Sequence, residues 1–391
     1  MKLFFKVVFT LFISIFLLLT FFILSFIVLF GVPVNERNVY FALMILSLLA
    51  TYLFFINLTW KIIKNIKIKR IFLIICLGIS LIGVFNFGRI IYSETVLSVE
   101  ERAVDYWEYN IVASDSKISR LKEDSKLKFT DKVPKMDGAT ALYPVYAAFA
   151  RATYPKDMQD HDYVAGRGTI TAYNRIISGD CDIIFVASPS KEQKLRAEEN
   201  GVKLQFIPIG KEAFVFLVNS SNPINDISVD DIKKIYSGEY TNWSDLGVNG
   251  YGKIRPFQRA NGSGSQTALE NIMGDTPIIP KKYENYEDFM SGMIHSIAVD
   301  EGYKNFNNAI GYSFRFYATK MVTSDKIKLL SINGKEPSVE NIKNGTYPLA
   351  GDFYAVVRED CSKETKDLID FILSEQGQYL VEDTGYVRIK E

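Results

Sequence analysis

Histidine and cysteine are scarce in this chain, and their scarcity limits the chemistry that it can perform. Only two of the 391 residues are histidines, His161 and His295, and they lie far apart in the sequence. A histidine metal site or a Ser-His-Asp triad therefore has little material. The sequence also has no Gly-x-Ser-x-Gly motif, no P-loop and no metal-ligand spacing. We expect neither an enzyme nor a bound metal or cofactor.

The three cysteines form no disulfide framework. Cys76 lies in an apolar stretch, whereas Cys181 and Cys361 lie in the polar part of the chain. Outside the cytoplasm a bond between the last two is compatible with the sequence, and two buried free thiols fit it equally well.

Charged residues are absent from three long stretches near the N-terminus, residues 7–30, 39–60 and 71–88. Each is about long enough to cross a hydrocarbon core of about 30 Å. A cleaved signal peptide is the alternative for the first stretch. That stretch is longer than the apolar region of roughly 7 to 15 residues in such peptides, and no small-x-small cleavage site follows it. The sequence therefore predicts a three-helix membrane region in residues 1–92.

Positive charge is concentrated in the loop between the second and third stretches. Residues 61–70 contain five lysines and arginines, whereas residues 31–38 contain only Arg37, offset by Glu36. The positive-inside rule places the basic loop and the N-terminus in the cytoplasm and residues 93–391 on the outer face. The alternative is that the loop is a site for nucleic acid or lipid headgroups, and some contact with anionic lipid of the bilayer is expected in either case.

The outer part of the chain is acidic. Of the 45 basic and 45 acidic residues, nine basic and one acidic lie in residues 1–92, which leaves 36 basic and 44 acidic residues and a net charge near −8 in the remainder. This balance argues against a partner that is a nucleic acid. An anion bound there would be held by local dipoles, because no broad positive field surrounds it.

The outer part begins with an irregular, charged segment and continues with alternating strands and helices. Residues 93–132 are expected to form a solvated tether, with a helix over residues 98–109. Runs of β-branched and aromatic residues predict strands, and stretches that begin with a capping residue predict helices. The predicted strands cover residues 182–186, 204–208, 213–219 and 353–358, and the predicted helices cover residues 169–178, 190–200, 228–237 and 362–375. Such alternation predicts an α/β fold with mainly parallel sheets.

The roughly 260 residues that follow the tether are too many for one ordinary core, so we expect two lobes. Two extended runs, residues 209–219 and 347–357, are candidates for the connections between them. The first lobe would then comprise residues 133–211 and 350–391, and the second residues 212–349. A cleft flanked by two connecting strands is the usual shape of a module that closes on a ligand.

Two short segments have the composition of an anion site. Residues 259–267 place serines and glycines just after an arginine, where a helix is expected to begin. Residues 137–140, Asp-Gly-Ala-Thr, precede an apolar helical run in the same way. Free backbone N–H groups at a helix start, hydroxyl donors and a guanidinium bind anions. Two such corners that face one cleft would hold a small oxyanion.

Six motifs follow one another between residues 133 and 390. They cover residues 137–144, 179–185, 227–238 with 241–243, 259–267, 309–312, and 374–378 with 385–387. One motif such as Gly-Ser-Gly-Ser suits any flexible loop, but six in this order are specific. The chain resembles the phosphate-binding proteins of bacterial ABC transporters. This resemblance implies a two-lobed type II periplasmic-binding-protein fold that closes on an anion.

The resemblance also implies an anion-binding set of helix-start donors, hydroxyls and cations. By position the set comprises Ala139, Thr140, Arg167, Thr169, Ser188, Arg259, Ser263, Gly264 and Ser265. Arg259 would be the ionic partner, and hydrogen bonds to a charged acceptor are each worth about 1.5 to 3 kcal/mol. Two alternatives stay open: Thr140 and Ser263 as simple helix caps, and Arg259 as a surface salt-bridge residue.

Two positions depart from the family pattern. The loop after the predicted strand 182–186 often carries an aspartate that accepts a proton from phosphate, and here it reads Ala187-Ser188-Pro189. An aspartate there would favour a protonated oxyanion and repel a fully ionised one, so its absence bears on the choice of ligand. Related sequences usually place a serine where Arg167 stands between two glycines. Arg167 either adds a second cation to the site, alters the ligand or points into solvent.

The expected function is that of a membrane-anchored extracytoplasmic solute-binding protein, which captures phosphate or a similar oxyanion for an ABC transporter permease. The alternative is a membrane-bound sensor or regulatory module that uses the same fold with an altered or lost ligand specificity. Three membrane spans are more than an anchor requires, which is what keeps the alternative open.

Overall fold

The structure, a computed structural model, describes residues 2–31, 34–92, 108–280, 305–321 and 324–389. The chain divides into two compact units, residues 1–98 and residues 99–391. We call them the helical unit and the binding unit.

The helical unit confirms the three apolar helices. α1 (Lys2–Gly31), α2 (Val34–Trp60) and α3 (Ile66–Tyr92) each contain a span that is long and apolar enough to cross a membrane. Most of their large apolar side chains are exposed, as lipid-facing side chains are. Two side-chain hydrogen bonds join the helices: Trp60 Nε1 donates to Thr10 Oγ1 over 2.9 Å, and Thr51 Oγ1 lies 2.8 Å from Ser80 Oγ.

The binding unit is an α/β structure, as predicted. Its helices are α4 (Tyr143–Thr153), α5 (Thr169–Ser178), α6 (Lys191–Glu199), α7 (Val229–Ser237), α8 (Gly264–Met273), α9 (Val339–Lys343), α10 (Lys363–Leu373) and α11 (Glu375–Thr384). Its strands are β1 (Met136–Gly138), β2 (Ile183–Val186), β3 (Leu204–Asn219), β4 (Asp226–Ile227), β5 (Arg255–Pro256), β6 (Ala309–Phe314), β7 (Ile327–Leu329), β8 (Ser331–Ile332) and β9 (Ala350–Arg358). Seven strands form one sheet in the order β1-β2-β9-β3-β6-β5, with β7 also paired to β3, and β4 pairs with β8.

The prediction of mainly parallel sheets is wrong. Among the described strands, β1/β2, β5/β6 and β4/β8 are parallel, whereas β2/β9, β3/β9, β3/β6 and β3/β7 are antiparallel. The reason lies in the long central strands β3 and β9. The chain leaves the side of the sheet that contains β1 and β2 along β3, and it returns to that side along β9. Two neighbouring strands that run in opposite directions pair antiparallel.

Three hydrophobic cores pack on this sheet. The smallest contains Tyr173 and Ile184. Of the two larger cores, the first contains Phe149 and Phe185, and the second contains Phe216 and Trp243. β3 contributes to both larger cores, and the strands predicted at 204–208 and 213–219 are one continuous strand with an irregularity in its pairing between Pro208 and Gly210. The lobe boundaries given above stay predictions.

The segment before β1 packs against the first core of the binding unit. Tyr109, Ile111 and Ile118 are buried in the first core, and the N–H of Lys126 donates to Gln376 Oε1 over 2.9 Å. The interpretation of residues 108–132 as a solvated spacer is therefore wrong. The helix predicted over residues 98–109 lies outside the described residues except for its last two, which form a turn.

Capping residues explain where the predicted helices begin and end. Ser190 and Gln193 form a capping box at the start of α6. The helix predicted over residues 362–375 is α10, which ends at Leu373. A further helix, α11, follows it, because the Ser374 side chain accepts a hydrogen bond from the N–H of Gly377 and caps a new helix start. All three cysteines are free thiols, so Cys181 and Cys361 are not bonded to each other.

Candidate functional site

The start of α5 presents backbone donors that have no partner among the described residues. Gly168 precedes the helix with φ 85°, a left-handed backbone conformation that favours glycine. The first helical bond is that from the N–H of Ala172 to the carbonyl of Gly168, at 2.9 Å. The N–H groups of Thr169 and Ile170 therefore precede the hydrogen-bond ladder of the helix and point out of its N-terminus.

The start of α8 has a similar set of donors. The Ser263 hydroxyl accepts a hydrogen bond from the N–H of Gln266 at 3.3 Å, so Ser263 is an N-cap, and its ligand role stays a prediction. Its hydroxyl hydrogen is still available for donation. The N–H groups of Gly264 and Ser265 lie in the open first turn.

Arg259 is held beside the start of α8. Its N–H donates to Gln266 Oε1 and to the Tyr312 hydroxyl, both at 3.0 Å, and the Tyr312 hydroxyl also contacts Gln266 Oε1. Burial raises the pKa of the Tyr312 hydroxyl, whereas the N–H and the positive charge of Arg259 lower it. The Arg259 guanidinium therefore places a positive charge near this helix start.

In the first predicted anion segment, residues 137–140, Thr140 is available as a hydrogen-bond donor but the N–H of Ala139 is not. The N–H of Ala139 donates to the carbonyl of Phe185 at 2.8 Å, so the donor role predicted for that N–H conflicts with a bond it already makes. Thr140 begins a 3₁₀ turn, Thr140–Leu142, and its hydroxyl makes no hydrogen bond within the described residues. Gly138 cannot carry a side chain, because a Cβ there would lie 2.5 Å from the Phe185 carbonyl oxygen.

The starts of α5 and α8 meet. Thr169 Oγ1 lies 3.2 Å from the position that a Cβ on Gly264 would occupy. Gln193 of α6 reinforces this approach, because its Nε2 donates to the carbonyl of Gly262 over 2.8 Å. Residues of α5 and α6 thus contact the loop and helix start formed by residues 262–264.

Thr169 and Ser265 lie at this meeting point with little exposed surface. Thr169 is 8 % exposed and Ser265 is 7 % exposed. Neither side chain makes a hydrogen bond to any residue in the described parts of the chain. Their hydroxyls are therefore available to donate to a ligand.

Arg167 and Ser188 lie on the neighbouring loops. The N–H of Arg167 donates to Asp137 Oδ1 at 2.9 Å, and Ser188 follows β2 at the edge where the parallel strand β1 also ends. Both side chains are half-buried and make no hydrogen bond to the residues that the structure describes. A ligand role for these two residues stays a prediction.

Asp137 is the organising residue that sequence reasoning missed. Its buried carboxylate accepts hydrogen bonds from the N–H of Gly138 at 2.8 Å and the N–H of Arg167 at 2.9 Å, and from Arg175 Nη1 at 2.6 Å. It therefore ties the loop before α4 to the loop before α5. The available signal was an aspartate within a buried strand, β1, because a buried carboxylate must find partners inside the protein.

The helices at the site differ from the other helices of the binding unit in the charge of their first turns. α4, α5 and α8 have no acidic residue in the first turn. The other five helices described in this unit, α6, α7, α9, α10 and α11, each have at least one. An acidic residue there would neutralise the positive end of the helix dipole. The helix ends at the site are thus free to act on an anion.

The comparisons with known proteins agree with this geometry. A family model described as a PBP superfamily domain matches residues 130–376. The phosphate-binding protein PstS of Staphylococcus haemolyticus is 27% identical over 267 residues, which are 66% of this chain and 81% of that protein. PstS of Bacillus subtilis is 25% identical over 260 residues, 66% of this chain and 80% of that protein.

A solved structure also resembles the binding unit. It is that of a putative phosphate ABC transporter substrate-binding protein with bound phosphate from Clostridium perfringens. The two chains are 26% identical with a TM-score of 0.50, and the match covers 66% of this chain and all of the other. The chain therefore carries a two-lobed fold of the type II binding-protein kind, preceded by three long apolar helices.

Proposed function

The chain belongs to the PBP superfamily, and from this premise we propose that it is a membrane-anchored extracytoplasmic protein that captures phosphate or a similar oxyanion for an ABC transporter. Similar proteins are named as phosphate-binding proteins, and the protein of similar structure is titled as having phosphate bound.

One observation carries the proposal: the open starts of α5 and α8 meet at Thr169 and Gly264. Backbone N–H groups and helix dipoles converge there, beside the hydroxyls of Thr169 and Ser265 and the positive charge of Arg259. Such donors, fixed in advance, replace the water around a small anion at little reorganisation cost. With few histidines and no metal-ligand cluster among the described residues, binding without chemistry is the function that this site supports best.

The helical unit supports the membrane part of the proposal. Its three helices would anchor the chain, and the basic loop at residues 61–70 would lie on the cytoplasmic side. The binding unit would then be presented on the outer face, where a permease receives the bound anion.

Calorimetry and thermal unfolding of the full chain in detergent test the proposal. Phosphate at about 100 times its dissociation constant should stabilise the protein by about 2.7 kcal/mol. Arg259→Ala should weaken binding, whereas Arg196→Ala, at an exposed position of α6, should leave it unchanged. The ligand-free melting temperature of each variant reports whether the fold is intact. No stabilisation by phosphate, sulfate or arsenate would refute the proposal.

A sensor or regulatory module is the second candidate, and the packing of the helical unit favours it. The hydrogen bonds Trp60–Thr10 and Thr51–Ser80 join three helices where one would anchor the chain. Co-purification of the chain with a permease supports transport. A signalling defect in a deletion strain, with anion uptake intact, supports the sensor.

A further inference from the structure

The four segments that form the site contain donors and cations but no carboxylate. Residues 138–142, 166–171, 186–190 and 258–267 hold two arginines, Arg167 and Arg259, and neither aspartate nor glutamate. A carboxylate that directly adjoins these segments in the sequence is that of Asp137, beside Gly138. Its oxygens already accept three hydrogen bonds, including one from Arg175, and the side chain is fully buried.

Three backbone carbonyls at the site already accept a hydrogen bond from the protein. The carbonyl of Gly138 accepts from the N–H of Gly168 at 3.0 Å, and the carbonyl of Phe185 accepts from the N–H of Ala139 at 2.8 Å. The carbonyl of Gly262 accepts from Gln193 Nε2 at 2.8 Å. A proton carried by a bound oxyanion therefore finds no carboxylate acceptor in these segments, only neutral hydroxyl, carbonyl and amide oxygens.

Tetrahedral oxyanions differ in the protons that they carry. Sulfate carries none near neutral pH, the phosphate dianion carries one, and the phosphate monoanion carries two. A site discriminates between them strongly only when it offers a fixed acceptor, which binds the proton of one anion and repels the bare oxygen of another. We propose that this cleft selects tetrahedral oxyanions in their dianionic form and does not exclude sulfate, an inference that rests on the proposed function.

Arg167 strengthens the preference for two negative charges. Its backbone is fixed by the bond to Asp137, one residue before Gly168 and the open start of α5. Its half-buried side chain makes neither a hydrogen bond nor an ion pair with the residues that the structure describes. A second guanidinium favours a dianion over a monoanion, because Coulomb attraction grows with the charge of the ligand.

The test measures the dissociation constants of the full chain in detergent for inorganic phosphate and for sulfate, at about pH 8 and about pH 5.5. Sulfate keeps its charge over this range and so serves as the internal control. We expect sulfate to bind within about tenfold of phosphate at the higher pH. At the lower pH, phosphate should weaken as it becomes a monoanion, whereas sulfate should not.

Two variants test the missing carboxylate acceptor and the positive charge of Arg167 separately. Ser188→Asp supplies a carboxylate after β2 and should lower sulfate affinity at least tenfold relative to phosphate. Arg167→Ser should weaken both dianions at the higher pH, whereas Arg196→Ser, an exposed arginine of α6, should change neither. The ligand-free melting temperature of each variant checks that it folds.

The outcomes distinguish a failure of this inference from a failure of the proposed function. Tight phosphate binding with sulfate excluded more than a hundredfold, or phosphate binding that strengthens at the lower pH, would overturn this inference and leave the proposed function standing. Binding of neither anion by the folded wild-type chain would overturn both.

Discussion

Glu212 and Arg315 form a buried ion pair in the strand region that joins the two larger cores, with 3.5 Å between Glu212 Oε1 and Arg315 Nε. The Glu212 carboxylate also accepts hydrogen bonds from the N–H groups of Ala213 and Phe316. Arg315 Nη2 in turn donates to the carbonyl of Gly385 over 2.7 Å. Phe316 stacks on Tyr386. One carboxylate thus connects β3, the chain after β6 and the end of α11.

The first prediction concerns the pH dependence of this pair. Burial raises the pKa of Glu212 to about 7, although Arg315 and the two N–H groups act to lower it. Because the pKa is higher in the folded than in the unfolded state, the folded chain binds more protons, and the stability from this group is lost as the pH rises through about 7. Glu212→Gln should therefore reduce the loss of unfolding free energy between about pH 5 and pH 8 by a few kcal/mol.

Denaturant unfolding at several pH values measures this effect. Asp352→Asn is the matched control, since Asp352 lies on the neighbouring strand β9 and forms a partly exposed pair with Lys211 at 3.1 Å. Equal pH profiles for wild type and Glu212→Gln would show that Glu212 does not titrate in this range.

The second prediction concerns the contact between α5 and α8. A Cβ on Gly264 would lie 3.2 Å from Thr169 Oγ1 and 3.7 Å from the Phe314 ring. The larger side chain of Gly264→Val must push the two helix starts apart, so phosphate affinity should fall at least tenfold, equivalent to about 1.4 kcal/mol. Gly351→Val is the control, because a Cβ on Gly351 meets no atom within 4 Å. An unchanged dissociation constant for Gly264→Val would place the ligand elsewhere.

Much of the secondary structure could be predicted because its signals are local. α5 has the predicted bounds, from the threonine after Gly168 to the residue before Gly179, which takes the left-handed conformation at the helix end. β2 was visible as a short apolar run. The membrane helices were visible from length and lack of charge alone.

Long-range pairing and burial could not be predicted from the same signals. Nothing local distinguishes β9 as an antiparallel neighbour of both β2 and β3, because strand direction depends on how the chain crosses between cores. The apolar residues Ile111 and Ile118 lie in a mainly polar segment, and only the assembled first core shows that they are buried.

In the candidate site, too, local features could be predicted and long-range contacts could not. Glycines and hydroxyls marked both helix starts, but the engagement of the Ala139 N–H by Phe185 depends on the pairing of β1 with β2. The role of Asp137 was likewise hidden, because its partner Arg175 lies 38 residues further along the chain.

The third prediction concerns Asp137. Asp137→Asn leaves the guanidinium of Arg175, whose side chain is only 15% exposed, without its carboxylate partner. Loss of one member of a buried pair costs about 3 to 5 kcal/mol, and the bond to the Arg167 N–H weakens at the same time. We expect a lower melting temperature together with weaker phosphate binding.

Asp360→Asn provides the control for this variant. Asp360 pairs with Arg358 at 3.2 Å, but its side chain is 77% exposed, and such surface pairs contribute about 0 to 1 kcal/mol. If both variants lost the same small amount of stability, Asp137 would not be the anchor of the two loops.

The fourth prediction concerns the orientation of the helical unit. Lys6 lies 5.5 Å from the centre of the Trp60 ring, so the beginning of α1 and the end of α2 are adjacent. The lysines of α1 therefore lie at the same end as the basic loop, residues 61–70, and we expect this end in the cytoplasm. In a Cys361→Ser background, a membrane-impermeant maleimide should label a cysteine at exposed Lys203 in intact cells. A cysteine at Lys64 should be labelled only after the cells are opened. Labelling of Lys64→Cys in intact cells, with Lys203→Cys protected, would reverse the orientation and place the binding unit where no extracellular anion reaches it.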